Sequence, residues 1–191
     1  MAIECWPVEP LERSRRGLDE RIRLAAPGMT RRLGRRLMEL PAGAPLRRRV
    51  LTQSFRVGMA AVNRGDYDSA GFAIHPEGVL VPPGKGEGGL DFDPEYHGPE
   101  GAKRFITQWK AGFDYFRYEP REIADAGGAH FAFKVGVFGR FAGSGTELED
   151  EWATIYTMKD GLTYRMVNEY EWETALAVLE GRVAEAVAPS T

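Results

Sequence analysis

Residues 129–172 alternate apolar and polar positions, a pattern typical of three consecutive antiparallel strands. The Gly143-Ser144-Gly145 segment and the Asp160-Gly161 pair are both turn sequences, so they predict two chain reversals. One face of the resulting sheet would carry mostly apolar side chains: Phe131, Phe133, Val135, Val137, Leu148, Trp152, Thr154, Tyr156, Met158, Leu162, Tyr164, Met166 and Tyr170.

Two polar residues, Asp150 and Asn168, interrupt this apolar face. With tight turns, Val135 lies near Trp152, and Trp152 lies near Asn168. A polar group on an apolar face needs a hydrogen-bond partner or costs roughly 1–3 kcal/mol. Asp150 and Asn168 are therefore the first candidates for a functional site.

The opposite face of the three strands is charged, as expected of a surface that contacts water or a second subunit. It carries His130, Lys134, Arg140, Glu147, Glu149, Glu151, Arg165, Glu169 and Glu171.

Helical and strand patterns alternate in the preceding part of the chain. They predict a helix over 46–63, a short helix over 67–72, a strand over 79–81, a helix over 99–115 and a strand over 116–125. The glycine-rich segment 84–89 lacks the order of a phosphate-binding loop, so we interpret it as a loop. After the three strands we expect a helix over 174–180 and a loose tail.

Length and cysteine content indicate one main domain in a reducing compartment. The 191 residues suit a single core with an appendage, and Cys5 is the only cysteine. The sequence contains no run of about 18 apolar residues, so it predicts no membrane span. The first residues lack a signal-peptide core. We therefore expect a cytoplasmic location.

Charge divides the chain into a basic start and an acidic remainder. Residues 1–50 hold twelve arginines, no lysine and six acidic residues. Helical patterns occur around 11–25 and after Thr30, where Leu33, Leu37 and Leu40 alternate with arginines. An arm for an anionic membrane surface or nucleic acid is one interpretation. Because aromatic residues do not interleave with the arginines, we expect no nucleic acid. The acidic remainder of this chain, or of a second subunit, is the nearest counter-charge, so we favour an arm packed on its own domain over contact of the arm with a membrane.

Four motifs in order resemble the nuclear transport factor 2-like superfamily, and within it SnoaL-like (polyketide cyclase-like) domain proteins. They are Asn63-Arg64-Gly65-Asp66-Tyr67-Asp68, Tyr96-His97-Gly98-Pro99-Glu100-Gly101, Asp160-Gly161 and Tyr170-Glu171-Trp172-Glu173-Thr174-Ala175-Leu176. The resemblance implies an α+β fold in which a cone-shaped, curved antiparallel sheet packs on helices. It predicts an arginine-rich helical extension at 1–44, a SnoaL-like domain at 45–181 and a C-terminal tail at 182–191.

The same resemblance implies a deep pocket between sheet and helices and a homodimer formed through the sheet. It does not fix one chemistry. The steroid isomerase pattern needs an Asp where this chain has Val81-Pro82-Pro83 and a Tyr near Gly58. The epoxide hydrolase pattern needs an Asp near Asn168, and an amide cannot accept a proton as a carboxylate does.

Asp150 is the candidate general base, since an apolar wall including Val137 and Tyr170 would raise its pKa. The alternative is a solvated Asp150 near the sheet edge. Asn168 would hold a substrate carbonyl or fasten a backbone group, and His97 is either catalytic or an exposed loop residue. The predicted pocket lining is aromatic and aliphatic: Tyr96, Trp109, Val135, Trp152, Tyr156 and Tyr164.

We expect no metal, because His75 and His130 lack a Cys or carboxylate at ligand spacing in the sequence. We also expect no cofactor, since we interpret the aromatic residues as core and pocket lining and not as a cofactor cage. The leading hypothesis is a protein that binds a hydrophobic small molecule and performs cofactor-free acid–base chemistry on it, with Asp150 as base and Asn168, Tyr156 or His97 orienting or donating. The alternative is a non-catalytic ligand-binding or dimerisation module whose basic arm reaches a partner.

Overall fold

A computed structural model describes residues 2–71, 73–82, 92–169 and 171–187. Among the sequence predictions, those for Phe72, the 84–89 loop, Tyr170 and the last tail residues 188–191 lie outside these ranges. The strands are β1 (Glu4–Pro7), β2 (Ile74–Val81), β3 (Tyr96–His97), β4 (Phe113–Asp125), β5 (His130–Phe141), β6 (Glu147–Lys159) and β7 (Leu162–Glu169). The helices are α1 (Leu18–Ala25), α2 (Pro27–Met38), α3 (Pro45–Asn63), α4 (Tyr67–Gly71), α5 (Gly98–Ala111) and α6 (Trp172–Val187).

The strands form one curved sheet in the order β1-β4-β5-β6-β7-β2-β3. Neighbouring strands are antiparallel, except that β2 pairs with β7 in parallel. The main core lies between the concave face of this sheet and helices α3 and α5, where Phe55 stacks on Phe133 at 4.1 Å between ring centroids. The predicted α+β architecture is confirmed.

The register of β5 against β6 agrees with the sequence, since Val135 is opposite Trp152. The predicted pairing of Trp152 with Asn168 is wrong by two residues, because Asn168 is opposite Thr154. Two features cause the difference. Asp160 and Gly161 form a two-residue turn with positive φ at both positions, and a bulge follows between Thr157 and Met158.

The N-terminal extension contains a strand that the sequence patterns did not indicate. β1 pairs with the outer edge of β4 and buries Trp6, whose Nε1–H donates to Thr52 Oγ1 at 2.9 Å. The first helix begins at Leu18 rather than near Leu11. A four-residue strand with a single buried position gives too short an alternation to be recognised.

The last helix is longer than expected and covers part of the sheet. α6 continues to Val187, so residues 182–187 are helical rather than a loose tail. Ala175 and Leu179 pack against a patch of three alanines and one isoleucine on the convex face: Ala124, Ala132, Ala153 and Ile155. This face is therefore partly buried by the chain's own helix, and a homodimer through it stays a prediction.

Candidate functional site

A cavity of about 320 Å³ lies between the concave face of the sheet and helices α2, α3, α4 and α5. Its wall is mainly apolar, because each element turns its buried stripe inward. The aliphatic and aromatic lining includes Leu33, Leu37, Val50, Leu51, Phe55, Met59, Ile106, Phe131, Phe133, Val135, Trp152, Tyr156 and Met166. Such a wall suits a ligand that is largely hydrophobic.

Polar groups in the cavity wall include an ordered pair on adjacent strands. Thr154 Oγ1 donates to Asn168 Oδ1 at 2.8 Å, and Asn168 Nδ2 donates to the carbonyl of Val81 at 3.0 Å. Asn168 thus fastens the end of β2, which was one of its two predicted roles. Because these bonds fix the amide, Thr154 and Asn168 present a rigid polar edge to the cavity.

Two tyrosines, Tyr118 on β4 and Tyr156 on β6, also line the cavity. Burial raises the pKa of both phenols well above the usual range, and a hydrogen bond with Thr154 offsets part of the rise at Tyr156. Both groups therefore stay protonated around neutral pH. They are suited to donating hydrogen bonds and not to removing protons.

Apart from its tyrosines, the ionisable groups in the described wall are basic. Within the described ranges, Arg23, Arg47 and Lys103 line the cavity, and no Asp, Glu, His or Cys does so. Lys103 Nζ is engaged by Asp68 at 2.8 Å and by Glu100 at 2.9 Å. The described wall therefore offers neither a carboxylate base nor a set of metal ligands.

Arg47 forms a buried ion pair that sequence reasoning missed. Its guanidinium bonds to Asp125, the last residue of β4, and its Nη1 donates to the carbonyls of Leu37 and Gly128. Asp125 also accepts hydrogen bonds from the backbone amides of Gly43 and Gly127. Arg47 continues the buried stripe of Leu51 and Phe55 at helical spacing, which was the available signal.

Helix α2 supplies a cavity wall that the sequence did not predict, although packing of the arm on its own domain was expected. It touches the Asp160-Gly161 turn closely: a Cβ on Gly34 would lie 2.0 Å from the carbonyl oxygen of Gly161. Arg31 secures the contact through an ion pair with Asp160 at 3.2 Å. Only glycine at position 34 permits this approach.

Asp150, the predicted base, lies outside the cavity. It is exposed near the start of β6, where its Oδ2 accepts a hydrogen bond from Trp152 Nε1 at 3.1 Å and its Oδ1 accepts one from the amide of Glu151 at 2.8 Å. It shares a face with Trp152, as predicted, but the strand extends beyond the end of the cavity. Its catalytic role stays a prediction.

The other predicted site residues divide into two groups. Val135, Trp152, Tyr156 and Asn168 line the cavity. The remainder lie elsewhere: the His97 side chain is 68% exposed beside Glu95, Tyr96 is buried with its hydroxyl donating to Gln108, Trp109 packs behind Trp152, and Tyr164 contacts His75. The bulge in β7 places Thr163 in the cavity wall and excludes Tyr164 from it.

Solved structures share this fold at low sequence identity. TerC, co-crystallised with polyporic acid, is 22% identical over 67% of this chain and 96% of its own, with a TM-score of 0.53. A nuclear transport factor 2-like protein of unknown function from Burkholderia pseudomallei K96243 is 16% identical over 66% and 95%, with a TM-score of 0.53. A protein assigned as a SnoaL-like polyketide cyclase from Jannaschia sp. CCS1 is 17% identical over 74% and 92%, with a TM-score of 0.51.

Curated proteins gave no match. None of the helices in the described ranges has the length and apolar character needed to span a bilayer. The family model of the SnoaL-like domain matches residues 56–166, which include helix α3 from its middle onward and strands β2 to β7 as far as Met166. This match covers more than half of the sequence, so the chain belongs to the SnoaL-like domain family.

Proposed function

We propose that this chain binds a hydrophobic small molecule, bearing a carbonyl or another hydrogen-bond acceptor, in the cavity between sheet and helices. The observation that supports this most is the composition of the cavity wall. Apolar side chains dominate it, and the phenols of buried Tyr118 and partly buried Tyr156 are protonated donors. A cyclic, polyketide-like compound has this combination of an apolar body and a few acceptor oxygens.

Binding explains the site better than proton transfer does. General acid–base catalysis needs a group that accepts a proton near the operating pH and lies within hydrogen-bond reach of the substrate. Asp150 is exposed and does not line the cavity, and the described wall contributes no carboxylate or imidazole. The phenols polarise or orient a bound carbonyl but supply no base.

Gly58 offers a direct test, because it lines the cavity and a Cβ there meets no described atom within 4 Å. Gly58→Phe would project a ring into the cavity and is expected to abolish binding. Gly58→Ala adds one methyl group, so it should retain binding while stabilising α3 by about 1 kcal/mol. Gly181→Phe is the matched control, since Gly181 is an exposed helical glycine with equally open surroundings.

Binding would be measured by calorimetric titration with polyporic acid, the compound co-crystallised with TerC, and with the fluorescent probe anilinonaphthalene sulfonate. Native mass spectrometry of the purified protein would show any ligand retained from the cell. The proposal predicts that the unmodified chain and Gly181→Phe bind a probe and that Gly58→Phe does not. Equal binding by Gly58→Phe would place the ligand elsewhere and contradict it.

A further inference from the structure

Exposed apolar side chains concentrate on the first two helices. In the described residues, six large hydrophobic side chains are exposed, and four of them lie on α1 and α2. Leu18 and Ile22, exposed by 74% and 43%, are four residues apart on α1. Met29 and Leu33, exposed by 53% and 42%, have the same spacing on α2. Each helix therefore presents an apolar stripe to the outside, and the four residues are called here the α1–α2 stripe.

Arginines surround this stripe, and several of them face solvent. Arg21, Arg32 and Arg36 are exposed and form no ion pair with any described residue. The two acids of these helices are engaged: Asp19 pairs with Arg13, and Glu20 is buried beside Arg64. The fully exposed charges on α1 and α2 themselves are therefore positive.

The α2 half of the α1–α2 stripe also belongs to the cavity wall, whereas Leu18 and Ile22 on α1 do not line the cavity. Met29 and Leu33 are exposed at the surface and also line the cavity, together with Thr30 between them and Arg23 on α1. An object seated on the stripe would therefore lie against the apolar interior. The exposed side chains of α2 therefore lie at the edge of the cavity.

We propose that the α1–α2 stripe and its arginines dock this protein on the surface of an anionic lipid bilayer. Apolar side chains ringed by arginines are the pattern by which amphipathic helices lie in a bilayer interface, where the apolar groups enter the acyl boundary and the basic groups meet the headgroups. Because Met29 and Leu33 belong to both the stripe and the cavity wall, a docked protein could exchange a hydrophobic ligand between the bilayer and the cavity. This exchange rests on the proposed function.

A second copy of the chain fits the stripe less well. Two copies that paired stripe to stripe would bring the same arginines against each other, which is repulsive. Outside α1 and α2, the described surface exposes only Leu46 and Tyr115 among its large hydrophobic side chains, so another face of the chain would offer few apolar groups to the stripe. A bilayer supplies both the apolar phase and the negative charge.

Co-sedimentation with extruded vesicles tests the docking surface on the full chain. We expect binding to phosphatidylcholine vesicles that contain phosphatidylglycerol, weak binding to phosphatidylcholine alone, and loss of binding at high salt. Leu18→Ser/Ile22→Ser should weaken the partition strongly. Arg21→Ser/Arg32→Ser should lower it by about fivefold per arginine.

The matched control is Tyr115→Ser/Arg140→Ser, an exposed aromatic residue and an exposed arginine that are cross-strand partners in β4 and β5. It should partition like the unmodified chain. Cavity binding of anilinonaphthalene sulfonate in the absence of vesicles should be the same in all variants, because none of the altered residues lines the cavity. Failure of the docking proposal and failure of the proposed function are thereby separated.

Three results would overturn the docking proposal. The first is an absence of binding to the anionic vesicles, and the second is equal binding by the stripe variants. The third is a change of subunit number in native mass spectra of Leu18→Ser/Ile22→Ser with unchanged vesicle binding, which would identify a second copy as the occupant.

Discussion

Arg47 and Asp125 form an ion pair that is almost completely shielded from water: the side chains are 1% and 0% exposed, and Arg47 Nε donates to the two carboxylate oxygens at 2.9 and 2.8 Å. The pair connects the start of α3 to the end of β4. Through the carbonyl of Leu37 and the amide of Gly43 it also holds the last turn of α2 and the segment that follows it. It therefore joins the N-terminal extension to the sheet.

Removal of one partner of this pair should be strongly destabilising. Asp125→Asn leaves the Arg47 charge buried without a counter-charge, which typically costs about 3–5 kcal/mol of unfolding free energy. Urea denaturation followed by tryptophan fluorescence measures this loss. The double variant Arg47→Met/Asp125→Asn removes both charges, so it should cost less than the sum of the single variants; strict additivity would contradict a coupled pair.

Gly34→Ala should separate α2 from the Asp160-Gly161 turn. Alanine normally stabilises a helix interior by about 1 kcal/mol relative to glycine, but here its Cβ would meet the Gly161 carbonyl at 2.0 Å. Faster hydrogen exchange in α2 is expected, with little change in α5. Gly28→Ala is the control on the same helix, because no described atom lies within 4 Å of a Cβ there. If hydrogen exchange in α2 stays as slow in Gly34→Ala as in the unmodified chain, the contact between α2 and the Asp160-Gly161 turn tolerates a methyl group at position 34.

Local alternation was sufficient to predict the sheet wall but not its extent. The period of two placed Val135 opposite Trp152 and put Asp150 on the same face as Trp152. The alternation of side chains assigns each residue to a face of the sheet, but it does not show where along a strand the cavity ends. Asp150 lies beyond that end. The bulge that removes Tyr164 from the wall depends on backbone geometry in the β6–β7 pair, which residue types alone do not specify.

The contribution of α2 to the cavity was also outside the reach of sequence patterns. Its leucines and arginines predicted an amphipathic helix, and the structure contains one. Its partner is the Asp160-Gly161 turn, more than a hundred residues away, and the contact depends on two glycines whose importance is steric. Likewise, Arg47 and Asp125 become recognisable as a pair only when the fold brings α3 and β4 together.

Asp66 should make stability depend on pH in the acid range. Hydrogen bonds from Arg16, followed by those from Arg64 and Ser69, hold the pKa of its carboxyl well below the usual range, although burial opposes part of the shift. Since the folded-state pKa is the lower one, the charged carboxylate stabilises the fold above the unfolded pKa of about 3.9, and this stabilisation is lost as pH falls through the folded-state pKa.

Asp66→Asn should therefore lose less stability than the unmodified chain when the pH is lowered from about 5 to about 2. Urea midpoints at several pH values measure the slope. Asp114→Asn is the control, because Asp114 is about half exposed and its ion pair with Arg140 is long at 3.7 Å. If stability falls with pH equally steeply in Asp66→Asn and in the unmodified chain, the contact of Asp66 with Arg16 contributes nothing to the pH dependence of stability.

The comparison of Tyr156→Phe with Asp150→Asn decides between binding and proton transfer. If the cavity recognises an acceptor oxygen, the loss of the Tyr156 hydroxyl should weaken the affinity by about twofold to tenfold, the equivalent of one neutral hydrogen bond. Asp150→Asn should leave the affinity unchanged, since Asp150 lies outside the cavity and an amide oxygen still accepts from Trp152 Nε1. Both affinities come from titration with whichever probe binds the unmodified chain.

Mass spectrometry of the recovered probe detects chemical conversion of the probe. A conversion that Asp150→Asn abolishes would show that Asp150 is the base, and would contradict a purely binding function.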